Sequence, residues 1–143
     1  MQITFDMPHV FHPVSTTEGN AYALRALLDC LVALNKVFLR EHPTSLPLYK
    51  SGVRYGRTQI WDTIPALYRR GFGDCKSLTA ALIAENEIKG LKCKPVFRWV
   101  SRQDGSEARD FHILVMHEDG SFEDPSKILG MGLNEVSPIL KGY

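Results

Sequence analysis

Cys75, His112 and Asp124 are the residues of this chain whose types can together carry out nucleophilic chemistry. A thiol attacks only as its thiolate, so it needs a base to take its proton and a third group to orient that base. Asp74 is a good N-cap residue, which sets Cys75 at the first position of a helix opening after it. The unpaired N–H groups and the dipole at that end favour an anion, and therefore thiolate over thiol. Lys76 adds a minor contribution if its ammonium folds back, although a lysine here is expected to point into water. Against this stands the ordinary role of cysteine as a small buried hydrophobe, so the partners must decide.

His112 sits in the run Phe111 to His117, where strand alternation groups His112 with Leu114 and Met116, and Phe111, Ile113 and Val115 on the other face. Such a histidine is half-buried and oriented, either as a core residue bonded to a backbone carbonyl or as a base. Asp124 discriminates between the two, because the length of the hairpin loop before it fixes its face. With the two-residue loop Asp119-Gly120, Asp124 lies opposite Val115 and points away from His112. With the three-residue loop Glu118-Asp119-Gly120, and Gly120 in the left-handed conformation of a bulge, His117 faces Ser121 and Asp124 faces Leu114. Asp124 is then the diagonal neighbour of His112, about 7 to 8 Å away at the backbone and within side-chain reach. The Cys–His–Asp reading thus requires the three-residue loop. Asp110, directly before Phe111-His112, is a competing partner for the histidine.

In that chemistry the histidine draws the thiol proton and later returns it to a leaving amine, while the carboxylate fixes the ring tautomer. The tetrahedral oxyanion needs N–H donors. The backbone N–H of Cys75 is one, and the side chains of Gln59 and Trp61 offer others, although Trp61 reads more readily as a core tryptophan.

The elements that position these residues can be drawn from pattern. Met1 to Thr17, with Pro8 and Pro13, reads as an extended arm in which Ile3 and Phe5 hint at a strand. From Glu18 to about Glu41, Leu24, Leu27, Leu28, Leu31, Leu34 and Phe38 follow helical spacing, with Thr16 or Thr17 as N-cap and Pro43 forcing a stop. A loop is expected from Thr44 to Arg57. A short helix follows over Asp62 to Arg70, with Pro65 in its first turn and Gly71 at its stop. The helix opened by Gly73-Asp74-Cys75 is apolar in nearly every direction up to Gly90, and such a helix is buried. Pro95 to Ser101, Phe111 to His117 and Ser121 to Asp124 read as strands, the first two joined through Asp104-Gly105. Helices first and strands afterwards predict an α+β domain: N-terminal helices and a buried central helix carrying Cys75 at its start, packed on a small antiparallel sheet.

Length and composition agree with one domain over residues 1–143, in which 44% of residues are hydrophobic and 23% charged. With 17 basic against 16 acidic side chains there is no field to recruit nucleic acid or an anionic membrane. The locally basic and aromatic stretch of Lys50, Arg54, Arg57, Arg69 and Arg70 with Tyr49, Tyr55 and Tyr68 reads as a solvated face. Three cysteines without zinc-knuckle or dithiol spacing suit a reducing compartment, with Cys30 and Cys93 as packing residues. His9 and His12 in the arm make a poor metal pair without further ligands, and no cofactor is expected. No export signal or membrane span is visible, which predicts a soluble, cytoplasmic protein.

These residues resemble the transglutaminase-like group of the papain-like cysteine superfamily, over about Trp61 to Met131. More narrowly, Trp61, Ile64-Pro65, Gly71-Phe72-Gly73-Asp74-Cys75, Phe111-His112, Glu123-Asp124-Pro125-Ser126 and Leu129-Gly130-Met131 are similar to small transglutaminase-like proteins of tailed bacteriophages and prophages. The resemblance implies Cys75 as nucleophile, His112 as base and Asp124 as orienting acid, with Trp61 preferred over Gln59 for the oxyanion hole. It implies acyl transfer on an amide through a thioester, with hydrolysis of a peptide or isopeptide bond favoured over transglutaminase-type crosslinking. The implied partners are a peptide or protein substrate in a bacterial host cell, and a phage or host protein. Related sequences often carry an acidic residue soon after the cysteine, where this chain has Lys76-Ser77, a departure that bears on substrate preference. The superfamily also holds members that have lost activity and serve as assembly or host-interaction modules, and cell-wall peptidases are a further alternative.

Overall fold

The computed structural model describes residues 1–8, 17–101 and 109–132. Helix α1 (Thr17–Glu41) runs the length that its periodicity predicts. Its candidate caps and the histidines His9 and His12 bear on residues or side chains outside those described, as does Asp104-Gly105. Ile3 and Phe5 are exposed and form no strand, since the described part of the arm offers them nothing to pair with. The core face of α1 is Leu24, Leu28, Leu31, Val32 and, unexpectedly, Asn35, while Leu34 is left 46% exposed. Asn35 earns its burial by accepting a 2.7 Å hydrogen bond from the Ile64 N–H at the start of α2 (Ile64–Arg70). Cys30, expected to pack, faces outward.

The expected loop between α1 and α2 holds more structure than its glycines suggest. A 3-10 turn, Leu48–Lys50, buries Leu48, and a two-residue strand β1 (Arg54–Tyr55) pairs in parallel with β2 (Phe72–Gly73). Helix α2 ends at Gly71, and β2 leads directly into α3 (Cys75–Ile88). A Cβ at Gly73 would stand 2.5 Å from Leu67 Cδ1, so a side chain there would displace the fully buried Leu67 of α2.

Every residue of α3 from Cys75 to Asn86 is buried, the polar ones included. Ser77 accepts from the Asp62 N–H at 2.9 Å, Thr79 donates to the Ile113 carbonyl at 3.1 Å, and Glu85 accepts from the Leu48 N–H at 2.7 Å. Satisfying loop and strand backbone in this way is what lets polar groups occupy a core helix. Around α3 lie α1 on one side and an antiparallel sheet of β3 (Cys93–Ser101), β4 (Arg109–His117) and β5 (Phe122–Glu123), in the order β3-β4-β5. A short helix α4 (Pro125–Ile128), not foreseen from pattern, follows β5 with Asp124 as its cap. The architecture is therefore α+β, with buried Cys75 at the start of α3 against the sheet. Among the described residues, no helix is long and apolar enough to cross a membrane.

Candidate active site

The β4–β5 hairpin takes the three-residue loop. Val115 pairs with Glu123 and Met116 with Phe122, while the His117 N–H donates to the Ser121 carbonyl at 2.9 Å. Gly120 has φ 83°, a left-handed conformation that closes the loop without the clash a side chain would bring. This register brings Asp124 to the face of His112, and the two meet: Nε2 of His112 lies 3.0 Å from Oδ2 of Asp124. A carboxylate only accepts, so Nε2 is the donor of this bond and Nδ1 is the ring nitrogen left outside it. The pair is shielded, with side-chain exposures of 3% for His112 and 13% for Asp124.

Cys75 approaches the same strand from its edge. The ladder alternation that aims the His117 N–H at β5 also aims the N–H and C=O of Ile113 that way. There β5 has already ended, since its pairing with β4 reaches only Val115. Helix α3 fills the place: the Ile113 N–H is directed at the Cys75 sulfur, and the Ile113 carbonyl accepts from Thr79 one turn later. The thiol is thus held one peptide unit from the α-carbon of His112 and within electrostatic reach of Asp124. Among the described residues no hydrogen bond joins the thiol to the imidazole; such contacts commonly tighten only when substrate binds.

The predicted helix start is present, with Asp74 as N-cap accepting from the Lys76 N–H at 3.3 Å. Its expected effect on the thiol is outweighed. Burial pushes the Cys75 thiol up to about 12, with the Asp74 charge adding to the rise and Lys76 and the Ile113 N–H opposing it. Lys76 departs from expectation as well. It is 5% exposed, paired with the Asp74 carboxylate, donating to the Thr58 carbonyl at 2.9 Å, and lying 5.8 Å from the Trp61 ring centroid. It turns inward because Asp74 and the Thr58 carbonyl supply acceptors that pattern could not reveal.

Of the two oxyanion candidates, Gln59 is exposed and Trp61 is half-buried against the core, next to the first turn of α3. Glu123 and His117, which pattern did not single out, form a second histidine–carboxylate contact at 2.7 Å, and Tyr49 donates to Glu123 at 2.6 Å. That chain ties β5 to the 3-10 turn and so steadies the strand that delivers Asp124. Compared with family models, curated proteins and solved structures, the chain gives no significant match. Among the described residues no three His, Cys, Asp or Glu side chains are grouped to hold a metal ion.

Proposed function

We propose that this protein is a transglutaminase-like, papain-type acyl-transfer enzyme in which Cys75 attacks an amide carbonyl. The observation that carries the reading is the buried bond between His112 Nε2 and Asp124, which leaves Nδ1 to accept a proton, on a strand against which the helix opened by Cys75 packs. In the first step the Cys75 sulfur bonds to the carbonyl carbon as its proton passes to Nδ1 and negative charge moves to the carbonyl oxygen. The Cys75 N–H, which precedes the helical hydrogen-bond ladder, and a donor from Gln59 or Trp61 receive that charge. Collapse expels the amine, which takes the proton back from the imidazolium, and leaves a thioester. Water resolves it with His112 again as base, which makes hydrolysis of a peptide or isopeptide bond the favoured outcome; an amine in place of water gives crosslinking.

The raised thiol favours a resting site in which Cys75 keeps its proton until the sulfur attacks. The same burial is the observation behind a second reading, an inactive member of the fold that serves phage assembly or host interaction. Iodoacetamide separates them, with alkylation located by peptide mass and exposed Cys30 as the reference thiol. The enzyme reading expects Cys75 alkylation at neutral pH to fall on the order of tenfold or more in His112→Ala. Equal rates in both proteins, climbing only in alkali, would leave the second reading.

A further inference from the structure

The first turn of α3 does more than present the thiol, because it grips the segment from Thr58 to Asp62 at both ends. At the near end the Lys76 ammonium donates to the Thr58 carbonyl at 2.9 Å and pairs with the Asp74 carboxylate, toward which the Thr58 N–H also lies. The Thr58 peptide is therefore fastened to a single buried ion pair. At the far end the Asp62 N–H donates to Ser77 Oγ at 2.9 Å. Between the two grips lie Gln59 and Trp61, and the Lys76 ammonium also faces the Trp61 ring at 5.8 Å. An oxyanion donor acts only if it is placed before the charge develops, and a loop residue has no such placement unless its backbone is fastened.

We propose that Lys76 is a positioning residue: locked onto Asp74, it clamps Thr58 and so fixes the Gln59–Trp61 segment as the oxyanion wall facing Cys75. The inference rests on the acyl-transfer reading above and adds to it a residue next to the nucleophile. The ion pair flanks the nucleophile on both sides, Asp74 before it and Lys76 after it, so a single element sets the sulfur and the wall together. Lys76 acts on the reaction through the wall and touches no reacting atom.

Removing Lys76 alone strands the Asp74 carboxylate in a buried site and can unfold the region. The informative protein is therefore the double variant Lys76→Met with Asp74→Asn, which removes both charges while asparagine retains capping ability. Two probes are used on the full chain. p-Nitrophenyl acetate acylates Cys75 through a tetrahedral oxyanion, and iodoacetamide alkylates it without one. The clamp predicts that the ratio of acylation to alkylation rates falls on the order of 10²-fold in the double variant, comparable to loss of one oxyanion donor. Thermal stability should meanwhile stay closer to wild type than in Lys76→Met. Lys76→Arg, which keeps a cation for Asp74, should recover part of the ratio. With both rates measured well below the melting transition of each protein, a merely structural role leaves the ratio unchanged and overturns the proposal. If wild type is not acylated at Cys75, or is acylated equally in His112→Ala, the acyl-transfer reading fails and the clamp with it. A wild type acylated in a His112-dependent way, with a double variant of equal ratio, overturns the clamp alone.

Discussion

Asp124 answers to two N–H donors at once. Oδ2 accepts from His112, and Oδ1 accepts from the Lys127 N–H at 3.1 Å that opens α4. A carboxylate can serve both, whereas an asparagine has one carbonyl oxygen and must fail one of them. Asp124→Asn is therefore expected to lower the Cys75 alkylation rate at neutral pH toward that of His112→Ala, or to lose the cap at a cost of about 1 kcal/mol. Rate and thermal stability measured on the same preparation will show which donor the amide keeps. An unchanged rate with unchanged stability would contradict the double assignment. The residue scale is also where expectation and structure diverge most, since Lys76 turns inward and Cys75 holds its proton.

At the scale of elements, the hairpin decides whether there is a site. Strand side chains alternate with a period of two, so one residue more or less in the loop reverses the face of everything beyond it. Deleting Glu118 should convert the three-residue loop to two, turn Asp124 away from His112, and abolish the His112-dependent part of Cys75 alkylation. Circular dichroism would report the helices intact. His112-dependent reactivity persisting in the deletion protein would mean that Asp124 does not orient the histidine. The meeting of α3 with the edge of β4 is set with similar economy, because Ile113 offers its N–H and C=O beyond the end of β5 and α3 supplies Cys75 and Thr79 to them.

For the whole molecule, the site is part of the core: Cys75 packs in the same cluster as Leu28, Leu78, Ile113 and Val115. Ionising the thiol therefore opposes folding. The folded thiol titrates near 12 against an ordinary 9.0, so above the ordinary value the unfolded chain releases a proton that the folded chain keeps. The stability tied to the protonated thiol is present below pH 9.0 and is lost as pH rises toward about 12. Tyr49 and Tyr68 are also pushed upward, chiefly by burial, and add to the loss above their ordinary 10.0. Between about pH 8 and about pH 10, wild type should lose about 1 kcal/mol more stability than Cys75→Ala, read from denaturant midpoints. Parallel losses in the two proteins would show that Cys75 is not buried as described.

Sequence by itself determined what local chemistry settles. Proline after α1, Gly71 at the end of α2, Asp74 before α3 and Gly120 in the hairpin each act within a few residues of themselves. They therefore set element ends and, through the loop, the shared face of His112 and Asp124. Only the tertiary structure decided which polar groups go inside and whom they meet. Asn35 joins Ile64 across 29 positions, Lys76 joins Thr58 across 18, and Glu85 joins Leu48 across 37. No period or cap encodes such pairings, because burial is a property of the assembled core and the partner that offsets the cost of burying a polar group arrives from a distant part of the chain. The state of Cys75 follows the same division: its place at a helix start was legible from Asp74, but the balance between dipole and desolvation was struck when β4 and α1 closed around it.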